Sequence, residues 1–266
     1  MVKSLKIVTF STLKGGVGKS SAVFNISGIL AEENKKILVI DADSQGNTTN
    51  NFGVDRTRKD FKSIVDIIEN NERFEDVVIK MPIEGLDIDI IGSTIFLTST
   101  EMRIVNQTGR EYILRNYIKK NVKKFNEYDY IIFDTSPSMG IVNQNAFLIS
   151  DEIILVSDVS LNSLEGAELF IALWDDITGK LDIKNNISGF MINMYDKRIK
   201  LSKEFKQYCV ENEDIKDILF DQVIHTNVRL KESELESKPI CILDKKSSGY
   251  KDYLNLVLEM KGRGIF

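Results

Sequence analysis

The sequence predicts an α/β fold: one doubly wound, mostly parallel sheet with helices on both faces, as a single domain spanning residues 1–266. Three observations carry that expectation. Short apolar runs alternate with helix-length amphipathic stretches, the order of repeated β–α units. Several runs, such as Ile37-Leu38-Val39-Ile40 and Ile131-Ile132-Phe133, are apolar without alternation, as parallel strands covered on both faces are. The first run then passes through a glycine loop straight into a helical stretch.

Strands are expected at Leu5–Phe10, Ile37–Ile40, Leu86–Ile91, Tyr130–Phe133, Glu152–Val156 and Ile187–Met194. Helices are expected near Ser20–Glu33, Thr100–Phe125, Asn143–Ile149, Ser163–Thr178, Ser202–Asn212 and Tyr250–Met260. The 266 residues are 42% hydrophobic and 28% charged with three prolines, enough to bury a large core. A net charge of −5 excludes a uniformly basic nucleic-acid coat but leaves room for a local basic patch. Cys209 and Cys241 make neither zinc spacing nor a disulfide framework, which fits a reducing compartment. Met1-Val2-Lys3-Ser4 leads directly into the first apolar run, and no run of about 18 apolar residues follows. A cytoplasmic protein with no membrane segment and no N-terminal helix-turn-helix extension is therefore expected.

Strand Leu5–Phe10 is followed by Lys14-Gly15-Gly16-Val17-Gly18-Lys19-Ser20-Ser21 and then a helix. Strand, glycine loop, helix is the setting of a phosphate loop: glycines let backbone N–H groups converge, and the helix N-terminus adds its positive end. Lys19 would reach the β- and γ-phosphates of ATP, and the Ser20 hydroxyl would ligate Mg²⁺. The common form places its first glycine at position 13, here Leu13, and a second lysine, Lys14, opens the loop. That lysine makes sense if it reaches a phosphate held by a second subunit, as an arginine finger does. A solvated surface lysine is the alternative.

Strand Ile37–Ile40 ends in Asp41-Ala42-Asp43. Carboxylates two residues apart point to the same side, at the carboxyl edge of the sheet where ligands gather. One can support Mg²⁺ and the other orient the attacking water; a turn in which they bond to backbone is the plainer possibility. Strand Tyr130–Phe133 ends in Asp134, a Walker B arrangement beside the metal.

Together the lysine-headed loop, Asp41-Ala42-Asp43-Ser44-Gln45-Gly46-Asn47 and Asp134-Thr135-Ser136-Pro137-Ser138-Met139-Gly140 resemble the ParA partition ATPases of the deviant Walker A class. The likeness continues through Asn145-Ala146, Leu164-Glu165-Gly166, Asn193-Met194-Tyr195-Asp196, the segment Asn227–Ser233, Lys238-Pro239-Ile240 and Ser248-Gly249-Tyr250. Gln45-Gly46-Asn47 favours this branch over the related MinD proteins. The resemblance implies an ATP-dependent homodimer with two nucleotides at its interface, each touched by the opposite Lys14. It implies non-specific binding of double-stranded DNA on the nucleoid, and release when a centromere-binding, ParB-like partner stimulates hydrolysis. It assigns Asp43 to the attacking water, Lys19, Ser20 and Ser21 to phosphate and metal, Asp41 and Asp134 to metal support, and Asn193 and Asn227 to nucleotide contacts. Three departures stand out. Ser44 replaces a turn proline, Thr135-Ser136 replaces Cys-Pro, and His225-Thr226 replaces Pro-Arg near the adenine, leaving the base contact unassigned.

DNA binding by an acidic chain needs local clusters. Lys197, Arg198, Lys200, Lys203 and Lys206 form one, Arg229 and Lys231 lie in a later segment, and Lys245, Lys246 and Lys251 come near the end. A dimer doubles such contacts, each strengthening binding by counterion release without base readout. Arg198 and Arg229 match family positions tied to DNA. A solvated helix face is the alternative for residues 197–206. Three other readings remain open: a MinD-like membrane ATPase with a lipid-binding C-terminal helix, a relative carrying an iron–sulfur cluster, which would need paired cysteines after the Walker B region, and a positioner of a protein cargo with the same chemistry.

Overall fold

A computed structural model describes residues 5–83 and 85–266; the Met1–Ser4 lead-in lies outside them. Seven strands form one sheet: β1 (Lys6–Ser11), β2 (Ile37–Ala42), β3 (Val78–Ile83), β4 (Leu86–Ile91), β5 (Tyr130–Thr135), β6 (Glu152–Ser157) and β7 (Ile187–Ile192). Their order is β3-β4-β2-β5-β1-β6-β7, and every pairing is parallel except β3 with β4. The expected doubly wound α/β sheet is therefore what the chain forms. Register pairs Asp41 with Asp134 and Phe10 with Asp134, so the phosphate loop and both acidic motifs leave the sheet side by side.

The helices are α1 (Lys19–Glu32), α2 (Asn47–Asn51), α3 (Ile64–Asn70), α4 (Phe74–Val77), α5 (Leu97–Ile104), α6 (Ile113–Lys120), α7 (Val122–Phe125), α8 (Ile141–Ile149), α9 (Leu161–Leu181), α10 (Lys200–Glu211), α11 (Val228–Leu235), α12 (Ile240–Leu243) and α13 (Ser248–Gly262). On one face α1 is wedged between the sheet and α13: Phe24, Ile26 and Leu30 share a core with Val8, Phe10, Tyr253, Leu256 and Met260. Gly28 is needed there, since a Cβ would come within 2.5 Å of Pro239 Cβ and 3.0 Å of Cys241 Sγ. The other face carries two cores, one under α3, α5, α6 and α8, the other under α9 and α10 around Phe147, Phe170 and Trp174.

The expected helix Thr100–Phe125 is a correction. The chain makes α5, a 3₁₀ turn at Arg110–Tyr112, α6 and α7 instead. Gly109 adopts φ 73° and breaks the run, and buried Asn145 on α8 fills the gap, donating to Arg110 O at 2.7 Å and accepting from Leu114 N at 3.0 Å. The last strand also ends earlier than expected, because Met194 turns into the left-handed region at φ 54°.

Past β7 the chain runs along its free edge. Phe190 N donates to Ile218 O, Phe220 N to Phe190 O, and Ile224 N to Ile192 O. The opposite edge is β3, which carries exposed Lys80 and a proline at 82.

Candidate functional site

The loop after β1 turns on two glycines with φ near 80°, Gly16 and Gly18. Helix α1 starts at Lys19 with Gly18 at its cap and no side chain bonded to its first N–H groups, which leaves those donors facing a cavity of about 510 Å³. Gly18 cannot carry a side chain: a Cβ would lie 2.3 Å from Asn193 Nδ2. That amide is the brace of the loop, donating to Val17 O at 2.9 Å and Gly18 O at 3.3 Å. Gly18→Ala should therefore weaken nucleotide binding at least about tenfold, through roughly 1–2 kcal/mol of left-handed strain plus displacement of Asn193. Unchanged affinity in isothermal titration would refute the brace.

Asp134 is the hub of the phosphate end. It is fully buried and accepts from Lys19 Nζ at 2.5 Å, Ser20 Oγ at 2.7 Å and Thr48 Oγ1 at 2.6 Å. A lysine, two hydroxyls and a carboxylate at an uncapped helix N-terminus fit a triphosphate with a hard divalent cation. Asp41 is also fully buried. Its oxygens accept from Asp43 N at 3.1 Å, Thr49 N at 2.8 Å and Thr49 Oγ1 at 2.6 Å, so it organises the loop behind the cavity. Burial, then the charge of Asp134, push its carboxyl up to about 7. Asp43 lines the cavity with Gln45 and Asn47. It accepts from Gln45 N at 3.0 Å, and burial raises its pKa while that bond and the Lys19 charge oppose the rise.

Lys14 sits at the mouth. Its ammonium donates to Asp158 Oδ2 at 2.7 Å and Oδ1 at 3.0 Å, and to Ser160 Oγ at 2.8 Å. Burial alone would raise the Asp158 pKa, but hydrogen bonds from Lys14 and Ser160 bring it below the usual carboxylate range. Asp158 and Thr48 were not singled out by sequence. Asp158 follows β6 as Asp134 ends β5, so the same strand-end rule points to it; Thr48 directly follows Gln45-Gly46-Asn47.

The other end of the cavity is lined by Met194, His225, Thr226, Asn227, Leu230 and Lys231. Asn227 caps α11, accepting from Arg229 N at 2.9 Å, and donates to Ser248 Oγ at 2.8 Å. Lys231 thus borders the cavity, whereas Lys197 and Arg198 lie on the exposed turn before α10. Arg198 pairs with Asp196 at 2.7 Å, and Arg229 with Glu232 at 2.7 Å and Asp244 at 3.4 Å. Cys209 and Cys241 are buried in separate cores, and burial pushes both thiols up to about 12. Among the described residues no helix is long and apolar enough to cross a membrane.

A family model described as an AAA domain matches residues 5–188. The chain is 31% identical to the sporulation initiation inhibitor protein Soj of Bacillus subtilis, over 97% of this chain and 99% of Soj. It is 28% identical to the chromosome partitioning protein ParA of Caulobacter vibrioides, over 97% of this chain and 95% of that protein. In structure it is similar to a plasmid partition protein of Borrelia burgdorferi bound to AMPPNP, with a TM-score of 0.79 and 24% identity over 98% of this chain and 100% of that one.

Proposed function

This chain belongs to the ParA-type ATPases, and from that premise we propose that it hydrolyses ATP as a homodimer and uses the cycle to hold and release DNA. The observation that carries the reading is the convergence of Lys19, Ser20 and Thr48 on Asp134, in a loop headed by a second lysine that points away from its own cradle.

ATP supplies the phosphoanhydride, and a bound Mg²⁺ would draw charge from its phosphates. Gly15–Ser21 bind the phosphates through backbone N–H groups, and Lys19 neutralises them. Ser20 and Asp134 would hold the metal, with Asp41 supporting them by fixing the Asp43–Thr49 turn. Asp43 orients the attacking water, and its desolvated carboxyl is suited to accept a hydrogen bond from it. Lys14 leaves Asp158 and places its charge on the nucleotide of the opposite subunit. A ParB-like partner stimulates this step, and the protein works in the cytoplasm on the nucleoid.

Arg198, Lys197, Arg229 and Lys231 carry the DNA contacts. Both arginines are paired with local carboxylates on the surface, Arg198 with Asp196 and Arg229 with Glu232 and Asp244, pairs weak enough for DNA phosphates to replace. Arg229→Glu should lower DNA retention and reduce the salt slope of binding by about 1 for the lost contact, with ATP-driven dimerisation intact; an unchanged gel shift at matched salt would sink that assignment. A lipid-binding mode has less support, because α13 buries Tyr253, Leu256, Val257 and Met260 against α1. The deciding measurement is DNA retention with ATP, with ADP and with no nucleotide. Retention with ATP alone is expected; none under any condition would turn the reading toward a protein cargo.

A further inference from the structure

The end of the cavity away from the glycine loop includes His225. The residue is held on three sides. Tyr195 N donates to Ile224 O at 2.9 Å and Thr226 N to Tyr195 O at 3.1 Å. The Tyr195 ring meets the imidazole edge to face at 5.6 Å. The Asp252 carboxylate on α13 takes both His225 N and His225 Nδ1 at 3.0 Å.

The Asp252 contact fixes more than orientation. A carboxylate oxygen only accepts, so Nδ1 carries a proton, and a ring with that single proton has Nε2 as its acceptor. The imidazole lines the same cavity as the phosphate loop. With the phosphates at Gly15–Ser21, the part of the lining beyond the loop that can receive a nucleotide's base includes Met194, His225, Asn227 and Leu230.

We propose that His225 Nε2, oriented by Asp252, accepts a hydrogen bond from the exocyclic N6 amino group of adenine and so makes the site selective for adenine over guanine. Adenine offers a donor at position 6, where guanine offers only an acceptor, and two acceptors facing each other leave both unpaired. Another acceptor at this end, Glu234, stands on α11 and also lines the cavity, but among the described residues no comparable pair of bonds anchors its side chain. His225 is therefore a specificity residue and Asp252 its positioning residue. The inference rests on the nucleotide reading above and can fail separately from it.

The test compares dissociation constants of ATP and of purine ribonucleoside triphosphate, which lacks the 6-amino group, at pH 8 with Mg²⁺. The full chain is used as wild type, His225→Ala, His225→Phe and Glu234→Gln. His225→Phe keeps a ring against Tyr195 in case the alanine loosens the turn. The wild type is expected to prefer ATP about tenfold, the worth of one such bond. Both His225 variants should bind the two triphosphates about equally, and Glu234→Gln should keep the preference. An ATP preference that survives in the His225 variants, or one that vanishes in Glu234→Gln alone, overturns the proposal. If the wild type binds neither triphosphate, the ATP reading itself falls.

Discussion

Lys14→Ala should reduce partner-stimulated ATP hydrolysis by about 1,000-fold or more while ATP affinity changes only a few-fold. The magnitude is that of a cation delivered to the transition state from a neighbouring subunit. Binding survives because Lys19 and the backbone of Gly15–Ser21 form the cradle, whereas the Lys14 ammonium is turned to Asp158 and Ser160. That ion pair is partly exposed, with side-chain exposures of 31% and 22%. Pairs so placed contribute about 0–1 kcal/mol, too little to compete with a phosphate group. The pair therefore parks Lys14 without locking it. A variant that hydrolyses ATP at the stimulated wild-type rate would show that Lys14 has no part in the chemistry.

Asp43→Ala should lower hydrolysis about 100- to 10,000-fold, the range for a lost general-base or water-orienting group. Dimerisation on ATP should persist, so the variant should stay on DNA long after the wild type has left. Asp43 suits the role because it is the acidic residue lining the phosphate end of the cavity, with one backbone N–H bonded to its Oδ1. Asp41, two residues earlier, is committed to Thr49 and the Asp43 amide. Single-turnover hydrolysis and DNA dissociation, followed in the same sample, check the claim. Rapid release combined with normal turnover would remove Asp43 from it.

Much of the sheet could be read from sequence because its central strands are buried on both faces and show as unbroken apolar runs. The edge strand β3 could not: Val78-Ile79-Lys80-Met81-Pro82-Ile83 carries a lysine and a proline, the pattern of an irregular segment. The run 100–125 misled for a related reason. Its helical periodicity continues across Gly109, and the residue that stabilises the break, Asn145, lies far along the chain on α8. The site divides in the same way. Lys19, Ser20, Asp43 and Asp134 sit in contiguous motifs with a known geometry. The Lys14–Asp158 pair spans 144 residues and the Thr48–Asp134 bond 86, and only the folded sheet brings such partners together. His225 is the one histidine of the sequence, and its partner Asp252 lies 27 residues further along on α13.

The two flanks of the sheet have a consequence for crowding. A bare strand edge invites a second molecule to add its own strand, the route to tangled aggregates. Here the flank at β7 is occupied by the chain's own 218–224 stretch. The flank at β3 presents Lys80 and a proline with no amide hydrogen to give. Copies gathered at high local density thus meet a covered flank on one side and a poorly pairing one on the other, and the homodimer proposed above would form through the face that carries Lys14 rather than by extending the sheet.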